Sequence, residues 1–310
     1  MTATAASEGG SSPEVAWLAG GQPAQADQTE SMEGAPVPAH LSPTSAATFV
    51  QCPRRWKLRY VDRLPDPPGL PAMVGTLAHR VLEELLNEPS HNRNPERARQ
   101  LAGQVWPQHA AHPEFVQLGL DADGQRAYKW RVWRAIEGLW HLEDPAEVSV
   151  LATEQRIEVM VGGVPFVGIV DRVDHHAEGV VITDYKSGQP PHPRRVDEKL
   201  DQVLLYAAAV ASATGERPVA ARLLYLGATV IEIEATPAAI ERAVGRLTET
   251  WQGLQAAREN DDYPPRTGPL CAWCPYLEQC AEGQAELRAR TSSGWVLPPH
   301  APAAAFRHVA

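Results

Sequence analysis

The chain has 310 residues, 44% of them hydrophobic, which is enough for a sizeable soluble core. It lacks both a run of about 20 apolar residues and a secretory leader, so we expect no membrane span and predict a cytoplasmic location. The formal net charge is −10, but the first 40 residues contribute five acidic residues and no Lys or Arg. Net charge therefore neither supports nor excludes a nucleic-acid partner.

The amino-terminal residues 1–38 are rich in Gly, Ser, Ala and Pro and are predicted to form a disordered tail. Order is expected to begin near Leu41, because Ser42 can cap a helix whose first residue is Pro43. This short helix leads to Cys52.

Further helices are predicted up to about residue 143. Apolar residues at helical spacing indicate a helix from Pro71 or Val74 to about Asn87, which carries His79. Residues 95–143 are predicted to be helical, with a break between 109 and 120. The tryptophans expected to anchor this part in the core are Trp106, Trp130, Trp133 and Trp140.

The pattern changes to strands at residue 149. Segments 149–160, 164–174 and 179–187 are short, rich in Val and Ile and separated by turns, which is typical of an antiparallel meander. A helix over 196–213, strands over 219–226 and 229–234 and a helix over 237–259 follow. This order predicts an α/β fold with a mixed sheet flanked by helices.

Two carboxylates are predicted to face each other in this sheet. A turn centred between Ala177 and Glu178 pairs Asp171 with Asp184, with their Cβ atoms about 4.5 to 5.5 Å apart. Lys186 lies two residues further along and shares the face of Asp184. Like charges at this distance repel, but a divalent cation between them removes the repulsion.

These residues resemble the core of the PD-(D/E)XK nucleases, in which an Asp on one strand precedes Asp-x-Lys on the next. Gly-x-x-Asp-Arg-x-Asp from Gly168, followed by Asp-Tyr-Lys-Ser-Gly from Asp184, is similar to the RecB-family exonuclease branch. The segment from Gly75 to His79 resembles the helix of that branch that bears a metal-binding His. Gln202 and Tyr206 match its Gln-x-x-x-Tyr helix, and the resemblance covers residues 41 to about 285.

The resemblance implies a restriction-endonuclease-like α/β fold with a helical insertion, and a Mg²⁺- or Mn²⁺-dependent DNA exonuclease that acts on ends or single strands in repair or recombination. It implies metal ligation by His79, Asp171, Asp184 and the carbonyl group of Tyr185, and catalytic roles for Asp171, Asp184, Lys186, Gln202 and Tyr206. Considered one at a time, His79 also fits a surface or core position, and Gln202 with Tyr206 also fits an ordinary polar pair. Glu154 on the first strand can be either a carboxylate of the active site or a structural residue.

All four cysteines fall into one pattern, Cys52 followed by Cys271-x2-Cys274-x5-Cys280. Four thiolates suit either structural zinc or an iron-sulfur cluster. The pattern resembles that of AddB-type and CRISPR-associated nucleases, which implies a 4Fe-4S cluster that joins the amino- and carboxyl-terminal segments in a structural role.

A basic segment follows Cys52 and includes Arg54, Arg55, Trp56 and Lys57. One interpretation is that this helix binds single-stranded DNA through phosphate contacts and base stacking. The other is a solvated helix face with aromatic residues in the core.

The domain organisation expected from these patterns is a nuclease domain over 39–290 and a carboxyl-terminal tail over 291–310. The nuclease domain comprises a helical part at about 75–145, a sheet core at about 149–235 and a cluster-binding segment at about 262–285. No Gly-x4-Gly-Lys-Ser/Thr loop is present, so the protein either acts alone or depends on a helicase partner for strand separation. Two alternatives stay open: a non-catalytic DNA-binding or assembly subunit, and a zinc-stabilised protein of unrelated function.

Overall fold

The computed structural model describes residues 38–305, which contain one five-stranded sheet with the strand order β1-β2-β3-β4-β5. The strands are β1 Val150–Val161, β2 Val164–His176, β3 Gly179–Lys186, β4 Pro218–Tyr225 and β5 Thr229–Glu234. β1, β2 and β3 pair antiparallel, β3 and β4 pair parallel, and β4 and β5 pair antiparallel. The predicted mixed sheet is confirmed.

Nine α-helices are present among the described residues. They are α1 Pro43–Gln51, α2 Pro53–Tyr60, α3 Leu70–Leu86, α4 Pro95–Ala111, α5 Pro113–Val116, α6 Ala122–Glu137, α7 Val196–Thr214, α8 Pro237–Glu259 and α9 Ala281–Ser292. The start of α1 agrees with the sequence, since Ser42 caps it and Pro43 is its first residue. α7 is the crossover that the parallel pairing of β3 with β4 requires. None of the described helices has the length and apolar character needed to span a bilayer.

Helices cover both faces of the sheet. On one face, Val180 and Ile182 of β3 pack in a core with residues of α7 and α8. On the other face, Tyr185 of β3 and Leu224 of β4 pack in a second core with residues of α3, α4 and α6. The sheet is thus the middle layer of an α/β/α arrangement, as the predicted fold class requires.

One of the four tryptophans expected in the helical core is not buried. Trp106, Trp133 and Trp140 are partly buried against the core formed by α3, α4 and α6. The prediction for Trp130 is wrong, because its side chain points away from that core and is 60% exposed.

The two ends of the described chain attach to the rest of the fold. Leu41 forms an isolated parallel bridge with Phe166 of β2. Residues 1–37 of the predicted amino-terminal tail lie outside the described residues. In the segment predicted to be a carboxyl-terminal tail, Ala301 and Ala303 are buried against Leu277 and Leu287, so this part of the chain packs onto the cysteine segment.

Candidate active site

Acidic side chains occupy neighbouring positions on three adjacent strands. The register of β1 and β2 places Glu154 opposite Asp171. The register of β2 and β3, continued by one residue pair, places Asp171 opposite Asp184, as the turn predicted. Three carboxylates therefore cross the sheet in one row, where their mutual repulsion opposes folding unless a cation neutralises it.

Glu154 has an unusual backbone conformation. Its φ of 45° lies in the left-handed region, which residues other than glycine rarely adopt within a strand. Such strain clusters at functional sites, where the surrounding structure holds the residue in place. The sequence contains a signal for the position of Glu154. The turn of the first hairpin, at Gly162 and Gly163, fixes the register that pairs Glu154 with Asp171. The next turn pairs Asp171 with Asp184 in the same way.

His79 on α3 completes the group. Its Nδ1 atom lies 3.5 Å from Oδ2 of Asp171. Ligand atoms of His79, Glu154 and Asp171 all lie within 4.8 Å of one another, which suits a shared metal ion. Of the predicted ligands, Asp184 lies outside this trio and pairs with Lys186 instead.

Lys186 belongs to a chain of polar contacts that ends on α7. Its Nζ atom lies 2.6 Å from Oδ2 of Asp184 and donates to Oε1 of Gln202 at 3.2 Å. The Gln202 amide group donates to Oδ1 of Asp184 at 3.1 Å and to the Tyr206 hydroxyl group at 3.3 Å. The structure therefore brings Asp184, Lys186, Gln202 and Tyr206 together.

Two glycines allow these segments to approach each other. A Cβ atom on Gly168 would lie 2.7 Å from the ring of Tyr206, and a Cβ atom on Gly75 would lie 2.9 Å from Oγ of Ser187. Gly168 and Gly75 each begin a sequence motif that bears a site residue, namely Asp171 or His79. Gly168 is therefore required sterically by the Tyr206 ring, whereas the Ser187 hydroxyl group beside Gly75 can rotate away.

Tyr185 connects the site to a buried ionic network. Its backbone N–H group donates to Oδ2 of Asp171 at 2.7 Å, and its hydroxyl group accepts from Arg172 at 2.6 Å. Arg172 is 0% exposed and also donates to Asp174 and Glu143, each at 2.9 Å. Arg172 thereby supports Asp171 through Tyr185. The local sequence contains no signal for this contact.

The carboxyl groups of the site have raised pKa values, mainly because they are buried. Burial raises the pKa of Asp171 to about 6, and burial together with the charge of Asp171 raises the pKa of Asp184 to about 6. Burial and the charge of Asp171 raise the pKa of Glu154 to about 8. Burial lowers the pKa of His79, so its imidazole is neutral near pH 7 and can bind a metal.

A model of the PD-(D/E)XK nuclease superfamily matches residues 40–281, which is most of the chain. The chain belongs to the PD-(D/E)XK nuclease superfamily. Among solved structures, this superfamily member is similar to a candidate exonuclease from Eubacterium rectale, at 13% sequence identity and a TM-score of 0.43, over 78% of this chain and 88% of that chain. No curated protein sequence matches the chain.

Membership of the superfamily confirms the family and the fold class inferred from the sequence. It makes the protein a member of a family of nucleases, which are hydrolases. The assignment to the RecB branch, the iron-sulfur cluster and the roles of individual residues stay predictions.

The four cysteines of this superfamily member line one cavity of about 290 Å³. Cys52 lies between α1 and α2, and its sulfur atom accepts from the backbone of Arg266 at 3.4 Å. Cys280 caps α9 and accepts from the backbone of Gly283 at 3.3 Å. The cavity therefore lies between the first helices and the carboxyl-terminal segment, and the cluster expected to join them stays a prediction.

The basic segment on α2 differs from the DNA-binding interpretation in one respect. Trp56 is 0% exposed and stacks on Tyr263 at a centroid distance of 6.1 Å, so its ring is not available to a base and the prediction for Trp56 is wrong. Arg54 donates to the backbone of Tyr263, and Lys57 pairs with Asp261 at 3.0 Å. Phosphate contacts by Arg54, Arg55 and Lys57 stay a prediction.

Proposed function

We propose that this protein is a divalent-metal-dependent DNA nuclease of the RecB type, which hydrolyses phosphodiester bonds at DNA ends or in single strands during repair or recombination. The observation that supports it most is the row of Glu154, Asp171 and Asp184, with Lys186 next to Asp184 and His79 next to Asp171. A carboxylate row beside one lysine suits a reaction in which a cation and an ammonium group together oppose phosphate charge.

The residues present fit a Mg²⁺ or Mn²⁺ ion. The donor atoms are carboxylate oxygens and one neutral imidazole, which suit these hard cations. Burial raises the pKa values of Asp171 and Asp184, and a bound cation would favour their ionised forms. We assign the ligands as His79, Asp171 and Glu154, whose possible ligand atoms lie within 4.8 Å of one another. We add Asp184 and the Tyr185 carbonyl group because of the resemblance to the RecB-family branch. When bound, the ion lowers the pKa of a water molecule and neutralises phosphate charge.

The side chains around Lys186 have separate tasks in this proposal. Lys186 acts either as an ammonium group that orients the attacking water and presents a compact positive charge to the phosphate, or as a neutral amine that deprotonates this water. Gln202 holds both Lys186 and Asp184 by hydrogen bonds, which fixes the ammonium group relative to the carboxylate. Tyr206 contacts Gln202 and, with it, positions the DNA or the nucleophile.

For the cysteine cavity we propose a 4Fe-4S cluster in preference to zinc. Sulfur atoms bound to one zinc ion at about 2.3 Å lie at most about 4.6 Å from each other. Among the described residues, the group with three possible ligand atoms within 4.8 Å of one another is His79, Glu154 and Asp171, and the four sulfurs form no such group. Thiols spread around a cavity of about 290 Å³ fit a larger centre, with the structural role of joining the two ends.

The proposal includes two features of the cellular setting. Clustered free thiols favour a reducing compartment, which supports a cytoplasmic location. Because the chain has no Gly-x4-Gly-Lys-Ser/Thr loop, a helicase partner would supply strand separation when the substrate is a duplex.

The experiment that tests this function is anaerobic digestion of end-labelled single- and double-stranded DNA with Mg²⁺ or Mn²⁺, by the wild type, Asp184→Asn and Lys186→Met. We expect the wild type to cut and both variants to lose about 10³-fold in rate while keeping their visible absorbance. Arg242→Met, an exposed charge on α8, is the matched control and should cut like the wild type. If wild type and variants all leave DNA intact yet bind it, the protein is a non-catalytic binding subunit.

A further inference from the structure

A second aromatic region lies in the helical part, away from the cysteines and α2. The side chains of α4 and α6 form a groove of about 180 Å³ whose floor is Leu77 of α3. The indole rings of Trp106 and Trp133 line it, and a side chain at Gly103 would meet open space. The groove is therefore apolar, aromatic and open to solvent.

Positive charges lie at the rim of this groove. Nζ of Lys129 lies 3.9 Å from the ring centroid of Trp106, and the guanidinium group of Arg99 lies 4.4 Å from that of Trp133. Lys129 and Arg99 are both exposed, and neither forms an ion pair within the described part of the chain. In a chain of net charge −10, cations left without carboxylate partners are available for an anion from outside.

The exposed face of α6 extends the same chemistry. Trp130, 60% exposed, lies one helical turn from Arg126 and one turn from Arg134. Arg126 pairs with Asp123, whereas Arg134 has no such partner among the described residues. Because the Trp130 indole is exposed beside guanidinium groups, it does not contribute to the core. Its ring is available to a molecule that binds this surface.

These features suit single-stranded DNA. An apolar slot between indole rings accepts the flat face of an unstacked base, and the cations at its rim face the flanking phosphates. A base within a duplex is paired and stacked on both sides and does not enter such a slot. Exposed pairing of a cation with an indole ring is weak, so Lys129 and Arg99 can turn to phosphate at small cost.

We propose that the groove between α4 and α6 binds one unstacked base of single-stranded DNA, with Trp106 and Trp133 as the stacking surface and Lys129 and Arg99 as phosphate contacts. This inference rests on the proposed function and adds a site that holds the strand away from the reacting bond. α3 supplies both the groove floor at Leu77 and the candidate metal ligand His79. The two sites therefore share one rigid element.

The test measures the fluorescence anisotropy of labelled dT12, and of an abasic strand of equal length, in the Lys186→Met background, where cleavage does not interfere. We expect dT12 to bind about tenfold more tightly than the abasic strand. Trp133→Leu should remove most of that difference without changing the salt dependence. Lys129→Met should weaken both strands and lower the slope of log K against log salt concentration by about 0.7.

The control is Arg242→Met, which removes an exposed charge on α8 and should lower the slope little. Thermal unfolding shows whether each variant is folded, and Lys129→Met alters an exposed side chain that packs in no core. If Trp133→Leu and Lys129→Met bind both strands like the control, the groove proposal is wrong, although cleavage by the enzyme with Lys186 intact would still support the nuclease. Base-dependent binding through the groove without any cleavage would keep the groove and overturn the nuclease.

Discussion

The carboxylate site and the cysteine cavity are built in opposite ways. The carboxylates lie on β1, β2 and β3, within about 30 residues of one another, and hydrogen bonds from Tyr185 and Gln202 hold two of them. The cysteines come from the two ends of the described chain and lie on short 3-10 turns and helix caps around a cavity. One site belongs to a sheet, and the other lies between two segments that are far apart in sequence and also pack on each other through Trp56 and Tyr263.

This difference predicts which of the two sites depends on a bound ligand for its folded geometry. The sheet and the buried network of Arg172 position Asp171 and Asp184 through the chain's own hydrogen bonds, so the loss of a metal ion should leave the geometry intact. The four thiols of the cysteine cavity come from both ends of the described chain, so the cofactor that we propose there would add bonds between these ends. Removing the ligand should therefore have little effect on the fold at the first site and a large effect at the second.

The largest effect is expected from Cys52→Ser. If the proposed cluster is present, loss of one ligand should release it and open a loop of about 220 residues, which we expect to destabilise the protein by about 5 kcal/mol. Anaerobic chemical unfolding and visible absorbance measure this together. Lys186→Met is the contrasting variant and should lose activity while it keeps its visible absorbance. A Cys52→Ser protein that loses its absorbance but unfolds like the wild type would remove the distinction between the two sites.

The next effect is expected from Arg172→Met, which removes the buried cation that holds Tyr185. Glu143 and Asp174 would lose a charged donor while buried, which should cost about 3 kcal/mol in free energy of unfolding. Because Tyr185 holds Asp171, the Mg²⁺ concentration for half-maximal cleavage should also rise. Arg242→Met is the control for charge loss and should change stability by less than about 0.5 kcal/mol. An unchanged Mg²⁺ requirement would show that Arg172 has a structural role alone.

Local patterns were enough to predict much of the fold and the centre of the site. The turn at 176–179 fixes the register of β2 and β3, because side-chain direction and pairing in a hairpin follow from its turn. Apolar spacing alone also located α3, which runs from Leu70 to Leu86 and carries His79. These features depend on residues close in sequence.

Features that depend on distant packing could not be predicted in this way. Trp56 is buried because Tyr263, more than 200 residues away, stacks on it. Trp130 and Trp133 lie on one helix, and helical spacing by itself does not tell which of them faces the core. The ionic network of Arg172 needs Glu143 from the segment before β1, a contact with no signal in the local sequence.

A smaller effect is expected from pH. Asp171 and Asp184 have pKa values raised to about 6 in the folded chain, above the value of about 4 in an unfolded one. Their charges oppose folding, so this cost is absent below about pH 4 and grows as the pH rises through 6, to about 2 kcal/mol or more. In EDTA, the unfolding temperature should therefore rise when the pH is lowered from 8 to 5.5.

Metal binding sharpens this test, because a cation binds the ionised carboxylates and competes with protons. Mg²⁺ or Mn²⁺ should raise the unfolding temperature at pH 8 and have a smaller effect at pH 5.5. Asp171→Asn should reduce both the dependence on pH and the effect of metal. Equal metal effects at the two pH values would contradict the assignment of Asp171 and Asp184 as ligands.

The smallest effects are expected from the two glycines, and they differ in sign. Gly168→Ala places a methyl group 2.7 Å from the ring of Tyr206, which cannot move without disturbing Gln202, so we expect a loss of about 1 to 2 kcal/mol and slower cleavage. Gly75→Ala meets only the Ser187 hydroxyl group, which can rotate, and it gains helix propensity within α3. Gly103→Ala, in open space on α4, measures that gain by itself. In urea unfolding, the stability of Gly103→Ala should exceed that of Gly75→Ala, and both should exceed that of Gly168→Ala. A Gly168→Ala protein as stable and active as Gly103→Ala would show that Tyr206 does not pack on β2 as described.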